Sequence, residues 1–211
     1  MTVSPAADEI EVARYRHGRV PRAVRERQVI AAAERLFAEQ GYAATSMDAL
    51  SRRVGVSKPV VYALIGSKEA LYRRCVDRMA DELAAEIVAA AGSAREPRQQ
   101  MEAATLAFFR FVAERRRLWE ALALDAGPFA ADAAAIRERQ NQLVAGLLVS
   151  AAERAQGPVD QRGATAVASA VNGAIEGLAR WWRDHQDVSA EDLSSLAVRI
   201  VMPGLEELLT A

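Results

Sequence analysis

Signals that end helices divide this chain into a first part of short helices and a second part of long ones. Gly41, Gly55-Val56-Ser57 and Gly66-Ser67 interrupt the helical pattern at short intervals, whereas such breaks are sparse beyond Gly92-Ser93. The 211 residues include 12 glycines and 7 prolines but 45 alanines, so intrinsic propensity favours helices throughout. The sequence therefore predicts an all-α chain made of two unlike parts.

The first part has clear signals for the start and end of each helix. The apolar residues that follow Pro21 recur at helical spacing until Gly41, which can end the first helix. Thr45 followed by Asp48 predicts a capping box at the start of a second, short helix.

Two further helices follow after short turns. Gly55-Val56-Ser57 separates the second helix from a third, for which Ser57 is a good N-cap and which ends near Ile65. Ser67 is expected to cap the fourth helix. Two helices of about two turns, joined by a three-residue turn that contains glycine, are typical of a helix-turn-helix. The alternative is an ordinary pair of antiparallel helices inside a bundle.

Charge separates the same two parts. The formal net charge is only -1, but the segment from Val12 to Lys68 holds eleven basic and four acidic residues. From Arg73 onward, acidic residues outnumber basic ones by four. A basic first part on an acidic remainder favours a nucleic-acid-binding module over a merely solvated surface.

Four short motifs lie in order within residues 25–72. They are Phe37-Ala38-Glu39-Gln40-Gly41-Tyr42, Thr45-Ser46-Met47, Gly55-Val56-Ser57-Lys58-Pro59-Val60-Val61-Tyr62 and Gly66-Ser67-Lys68-Glu69-Ala70-Leu71-Tyr72. Together they resemble the DNA-binding domain of TetR/AcrR-family transcriptional regulators, over about a quarter of the chain. The resemblance implies a three-helix helix-turn-helix DNA-binding domain followed by a larger helical ligand-binding and dimerisation domain. The expected divisions are a basic flexible arm over 1–20, the DNA-binding domain over 21–67 and the larger domain over 68–211.

The start of the third helix is the predicted base-reading element. Side chains near the N-terminal end of a recognition helix reach base edges in the major groove, and here these are Lys58, Pro59 and Val60, with Ala63 one turn later. Lys58 can donate to guanine O6 and N7, whereas the other three offer apolar surface for thymine methyl groups. Val60 and Ala63 serve equally well as helix filler.

A second set of residues is predicted to contact phosphates. Thr45 and Ser46 lie at the start of the second helix, where free N–H groups favour an anion. The resemblance implies the same role for Tyr62 and Lys68. Arg22 ends a basic arm that also holds Arg14, Arg16, His17 and Arg19, and that can follow phosphates or enter the minor groove. A solubilising tail is the alternative for the arm.

The second part is predicted to hold helices over 98–117, 118–126, 129–156, 159–186 and 190–209. Small residues recur every four positions on the fourth of these, and leucines line one side of the last. The resemblance implies that the last two helices form a dimer interface, and packing within one chain is the alternative. The predicted interface residues are Ala166, Ser169, Ala170, Gly173, Gly177, Leu193, Leu196, Ile200 and Leu205.

The resemblance also implies a small-molecule pocket among the middle helices. Aromatic residues at helical spacing are more often plain core, but an asparagine on an apolar face needs a hydrogen-bond partner and is a better indication. The predicted lining residues are Phe108, Phe111, Trp119, Leu122, Phe129, Asn141, Asn172 and Trp181.

Catalysis, metal binding and membrane insertion are not indicated. The two histidines, His17 and His185, have no metal-ligand partners at suitable spacing, and Cys75 lies on an apolar stripe typical of a buried thiol. We expect no enzymatic activity, no cofactor and no metal. The early acidic residues and the lack of an apolar run of ~18 residues predict a cytoplasmic protein without a membrane partner.

The sequence therefore predicts a homodimeric repressor that binds a palindromic double-stranded DNA operator and is released by an unidentified small-molecule effector. An activator is a third, weaker hypothesis. The second is a helical ligand-binding or scaffolding protein that has lost its DNA affinity. It is motivated by Ala63-Leu64-Ile65, which stands where the family usually has an aromatic pair, so that Leu64 and Ile65 are expected in the core.

Overall fold

A computed structural model of the chain describes residues 20–120, 130–154 and 161–210, and these residues form helices joined by short turns. No β-strand occurs within these ranges, so the all-α prediction is confirmed. No described helix is both long and apolar enough to cross a bilayer. The helices are α1 (Arg22–Ala44), α2 (Met47–Val54), α3 (Lys58–Ile65), α4 (Lys68–Gly92), α5 (Pro97–Glu114), α6 (Arg116–Trp119), α7 (Ala130–Arg154), α8 (Gln161–Trp182) and α9 (Ala190–Thr210).

The chain forms two compact units whose boundary lies inside α4. The first unit comprises the described residues up to Met79 together with 117–120, and the second comprises Ala80–Arg116 and the described residues from 130 onward. The sequence-based division at 67/68 falls before α4 instead. The early turns of α4 belong to the first unit because they help to build its core. The ring of Tyr72 lies 5.8 Å from that of Phe37, and both residues are buried.

The core of the first unit takes one face from each of its first four helices. Val29 and Phe37 on α1, Leu50 on α2, Val61 on α3 and Leu71 on α4 are fully buried. Burial of such a side chain contributes about 1.5–3 kcal/mol relative to exposure. Helices of eight residues are too short to be stable alone, so this shared core holds α2 and α3 in place.

Most predicted helix ends are confirmed, but the proposed capping box is wrong. Gly41 has a φ of 75° and interrupts α1, as expected. The N-cap of α2 is Ser46, whose Oγ accepts a hydrogen bond from the backbone N–H of Ala49 at 3.1 Å. Thr45 lies one residue earlier and its hydroxyl donates to the carbonyl of Gly41 at 2.8 Å. Its side chain therefore completes the end of α1 instead of capping α2.

In the second unit, α7 packs along α8 and α5 packs along α9. The sequence-based helix over 159–186 is too long, because α8 ends at Trp182 and its indole N–H donates to the carbonyl of Val188 at 2.7 Å in the turn that follows. Ser189 caps α9 by accepting from the backbone N–H of Asp192 at 3.0 Å. Much of the segment predicted over 118–126 lies outside the described residues.

Candidate nucleic-acid interface and ligand cavity

The helix α3 separates an inner apolar face from an outer face that is open to solvent. Val61, Leu64 and Ile65 are buried, which confirms the expectation that the last two belong to the core. The outer face, here called the reading face, consists of the five predicted positions Lys58, Pro59, Val60, Tyr62 and Ala63, all of them exposed. Val60 and Tyr62 are 42% and 44% exposed, unusual values for large apolar and aromatic side chains in a helix with a well-packed inner face.

The charged group of the reading face is already paired within the unit. The Nζ of Lys58 lies 3.0 and 3.1 Å from the two carboxylate oxygens of Asp48 on α2. This hydrogen bond and the negative charge of Asp48 raise the pKa of Lys58. Both side chains are about half exposed, so the pair exchanges readily with solvent or with another anion. The sequence pattern gave Asp48 only a capping role and missed this contact.

Two further predicted residues hold the ends of neighbouring helices. The guanidinium of Arg22 donates to the carbonyl of Ala63 at 3.1 Å, which ties the start of α1 to α3. Lys68 donates to the carbonyl of Ala43 at 3.2 Å, and its Nζ lies 4.3 Å from the centre of the Tyr42 ring. These cations therefore lie near the helix ends that border the reading face.

The two residues at the start of α2 that were predicted to contact phosphates differ in exposure. Ser46 is exposed, and its hydroxyl keeps a proton to donate while its oxygen caps the helix. Thr45 is 3% exposed and donates its proton to Gly41, so in this conformation its side chain does not reach the surface. The predicted arm residues Arg14, Arg16, His17 and Arg19 lie outside the described residues.

The second unit contains a cavity of about 130 Å³. Residues of α4, α5, α7, α8 and α9 line it, and most of them are apolar. Phe108 and Asn172 are predicted pocket residues that lie in the lining, and Asn172 donates to the side-chain oxygen of Asn141 at 2.8 Å. The amide pair therefore supplies the partner that each asparagine needs.

Several other predicted pocket residues lie elsewhere. Phe111 is fully buried beneath the guanidinium of Arg115, at 4.0 Å from the ring centre, and does not line the cavity. Trp119 is buried in the part of the chain assigned to the first unit. Trp181 is 44% exposed and stacks on the imidazole of His185 at 3.8 Å. Leu122 and Phe129 lie outside the described residues.

The sequence pattern missed the polar residues of the cavity lining other than Asn172, and two of them, Thr105 and Glu176, are notable for their burial and charge. Thr105 is 2% exposed, and its hydroxyl has no hydrogen-bond partner among the described residues. Burial raises the pKa of Glu176, although the positive charges of Arg137 and Arg180 act in the opposite direction. Each interrupts the apolar side of its helix, and this is the signal that could have identified them.

The predicted dimer interface is partly a surface and partly core. Ala166, Ser169, Ala170 and Gly173 on α8 are exposed, and a side chain placed at Gly173 or Gly177 would meet no described atom within 4 Å. On α9, Ile200 is 59% exposed and Leu196 is partly exposed. Leu193 and Leu205 are buried within the chain, so their assignment to an exposed interface is wrong. The helix that carries them, α9, packs against both α5 and α8.

These features define a helix-turn-helix regulatory protein with an internal cavity in its second unit. Residues 29–75 match the model of bacterial regulatory proteins of the tetR family, and residues 97–204 match the model of the tetracyclin repressor-like C-terminal domain. The second match alone covers half of the chain. The chain therefore belongs to the TetR family, as the sequence motifs predicted, and α2 and α3 are the helix-turn-helix of its DNA-binding domain.

Individual relatives agree with this assignment. The HTH-type transcriptional activator FasR of Mycolicibacterium smegmatis is 39% identical over 97 residues, which span 46% of this chain and 44% of FasR. A TetR-like transcriptional regulator from Rhodococcus sp. RHA1 is 29% identical with a TM-score of 0.67, over 89% of this chain and 99% of that one. FadR of Bacillus subtilis, solved in complex with stearoyl-CoA, shares the fold at 15% identity with a TM-score of 0.70, over 82% and 96% of the two chains.

Proposed function

We propose that this protein is a homodimeric transcriptional regulator that reads a palindromic DNA operator with α3 and responds to a small molecule bound in its second unit. The observation that carries the proposal is the reading face. An eight-residue helix with a fully packed inner side presents a lysine, a tyrosine and three small or apolar residues outward. This size and surface suit insertion into a major groove.

Within the reading face, Lys58 is the proposed base-reading donor and Pro59, Val60 and Ala63 are the proposed contacts for thymine methyl groups. Lys58 would exchange its pairing with Asp48 for guanine O6 and N7, at little net cost because the pair is exposed. Asp48 also holds the lysine chain near the groove side of α3 before DNA arrives.

The proposed phosphate contacts surround that face. Ser46 offers a hydroxyl at the start of α2, Tyr62 offers a phenol beside the reading residues, and Arg22 and Lys68 supply positive charge at helix ends. Thr45 is included among the proposed phosphate contacts only because it lies at the start of α2, since its side chain is buried. Such contacts fix the register of the protein on the duplex and carry no sequence information.

Dimerisation is proposed through the exposed small residues of α8 and the exposed Ile200 of α9. A helix that presents alanine, serine and glycine at intervals of four allows a second helix to approach closely, and an exposed isoleucine adds apolar area. A two-fold dimer requires operator half-sites whose centres lie about 34–36 Å apart, or a multiple of that distance.

The cavity of the second unit is the proposed effector site. It is enclosed by helices, largely apolar and furnished with a few polar groups, as ligand pockets generally are. FadR accommodates stearoyl-CoA, and its shared fold supports only the view that such a helical arrangement can admit a molecule with an apolar part. Effector binding would shift the population between DNA-competent and DNA-incompetent dimers.

Repression is the proposed direction of control, by occupation of promoter DNA. FasR is named an activator, and its identity with this chain favours activation as the second candidate. The position of the protected DNA distinguishes the two, because a repressor covers the promoter core or start site and an activator binds upstream of it.

The test is a mobility-shift titration on the promoter region of the protein's own operon, after selection of bound sequences from random DNA. We expect a salt-sensitive, sequence-dependent shift. Tyr62→Phe removes only the phenol hydroxyl and should weaken binding to all sequences alike, whereas Arg98→Ala removes an exposed charge of the second unit and serves as the control. If no sequence-dependent shift occurs at any protein concentration, the chain is a ligand-binding or scaffolding protein instead.

A further inference from the structure

Thr105 places a hydroxyl in the cavity wall without a partner in the protein. It is 2% exposed, it lines the cavity, and its Oγ1 makes no hydrogen bond with any described residue. A helical threonine commonly donates to the carbonyl four residues earlier, and Thr165 does so with Gln161 at 2.9 Å. Buried hydroxyl groups in folded proteins are nearly always paired, so a group in the cavity is the expected partner.

Glu176 gives the same cavity an acceptor that favours a particular kind of ligand. When ionised, a carboxylate accepts hydrogen bonds and donates none. Partial burial raises the pKa of Glu176, and the positive charges of Arg137 on α7 and of Arg180, one turn later on α8, act in the opposite direction. Neither arginine lines the cavity. A ligand group that donates a hydrogen bond would therefore satisfy Glu176, and a group that only accepts would not.

The remainder of the lining disfavours an anion. Glu176 is the one charged residue among the described residues that line the cavity, and it is acidic. A carboxylate inside would face this negative charge with no basic side chain in the wall, while losing its hydration. The amide groups of Gln100, Gln140 and Asn172 add polar contacts but no charge.

From these observations we propose that the cavity selects a molecule with an apolar body and one uncharged polar group that donates a hydrogen bond to Glu176 and accepts one from Thr105. A hydroxyl group is the simplest such group. The inference rests on the proposed effector role of the cavity and specifies the chemical class of the effector. It makes Thr105 and Glu176 the residues that determine specificity.

The experiment compares three probes that share an octyl chain: octanol, nonanoate and methyl octyl ether. Binding is measured on the purified full chain by displacement of the uncharged dye N-phenyl-1-naphthylamine and by calorimetry. We expect octanol to bind about tenfold more tightly than either of the other two, because one hydrogen bond at a buried charged partner is worth about that factor. Equal binding of the ether would overturn the role of the donor, and tighter binding of nonanoate would overturn the role of Glu176.

Two isosteric variants then assign the effect to residues. Thr105→Val should weaken octanol and the ether by a similar factor, several-fold, because the oxygen of each accepts from the threonine hydroxyl, and Glu176→Gln should remove most of the discrimination against nonanoate. Thr165→Val and Glu102→Gln make the same chemical changes outside the cavity lining and should leave the affinities of all three probes unchanged. If both cavity variants keep the wild-type affinities, the proposal fails.

The probe experiment does not depend on DNA binding, because DNA binding is tested separately by a mobility shift without any probe. If a cavity variant does not fold, as judged by its thermal unfolding, the three probes on the wild-type chain still decide the question. If none of the three displaces the dye while the DNA shift persists, the ligand class is wrong and the regulator assignment remains.

Discussion

The two units of this protein place the side chains with proposed functions on opposite sides of their helices. On α3, the apolar residues Val61, Leu64 and Ile65 are packed inward, and the proposed DNA-contacting residues remain outside. In the second unit, the residues proposed to determine specificity, Thr105 and Glu176, face an internal cavity and interrupt the apolar side of their helices. The proposed contact residues of the first unit therefore lie outside its core, whereas those of the second unit lie within its core, in the wall of the cavity.

This difference predicts different responses to mutation. A substitution on the reading face should change DNA binding and leave stability nearly unaltered, because exposed side chains contribute little to folding. A substitution in the cavity wall should change ligand choice and stability together, because the same atoms serve both.

The inner and outer sides of the helix-turn-helix should differ most in stability. Leu50→Ala removes a fully buried side chain and should lower the free energy of unfolding of the first unit by about 2–5 kcal/mol. Val60→Ala, on the reading face, should change it by no more than about 0.5 kcal/mol. Chemical denaturation followed by circular dichroism measures both variants. Similar losses for the two would show that the reading face is part of the core.

Removal of the base-reading lysine should affect affinity and specificity. Lys58→Ala should lose about 1–3 kcal/mol of binding free energy at the cognate operator and relax the preference at one base pair of each half-site. Binding to unrelated DNA should change much less. Titrations on the operator and on its single-base variants measure both effects, and unchanged preferences at every position would remove Lys58 from the reading set.

Removal of a phosphate-contacting cation should weaken all sequences about equally. Lys68→Ala should lower the slope of log affinity against log salt concentration by ~1, because one fewer phosphate is neutralised. Its contacts to Ala43 and Tyr42 are exposed, so stability should change little. Binding measured at several salt concentrations on two sequences provides the check. If Lys68→Ala altered the base preference, the assignment of phosphate contact to Lys68 and of base reading to Lys58 would be wrong.

The cavity wall should show the smallest effect, a dependence of stability on pH. The raised pKa of Glu176 means that the folded state holds its proton more tightly than the unfolded state. The contribution of this bound proton to the free energy of unfolding is therefore fully present below pH 4.5, the ordinary pKa of a glutamate. It is lost as the pH rises through the pKa of Glu176 in the folded state. Glu176→Gln should be slightly more stable than the wild type at neutral pH, and this advantage should vanish below about pH 4. Thermal unfolding across that range tests it, and an advantage that grows on acidification would contradict the assignment.

The sequence allowed the first unit to be predicted in more detail than the second. The reading face could be predicted directly from the sequence. Once the apolar positions of α3 that face the core had been assigned, the remaining positions were the exposed ones. Thr45 was misassigned because a hydroxyl next to a helix start has two possible partners, the carbonyl of Gly41 behind it and the backbone N–H of Asp48 ahead of it, and the choice between them depends on the break in α1.

The positions of side chains in the second unit could not be predicted from the sequence, for a physical reason. Its helices are apolar on several sides, so the pattern does not tell which side faces a cavity, a neighbouring helix or solvent. Leu193 and Leu205 were assigned to a dimer interface, yet both are buried on a helix that packs against α5 and α8. Trp181 was placed inside although it is 44% exposed. Such assignments require the contacts between distant helices, which helical spacing alone does not contain.

Methylation interference on the selected operator shows whether α3 reads bases from the major groove. Methylation of guanine N7 blocks the atom that Lys58 is proposed to contact, so we expect interference at one guanine in each half-site, and we expect it to disappear with Lys58→Ala. Interference that persists unchanged in Lys58→Ala, or that is confined to adenine N3 in the minor groove, would contradict it.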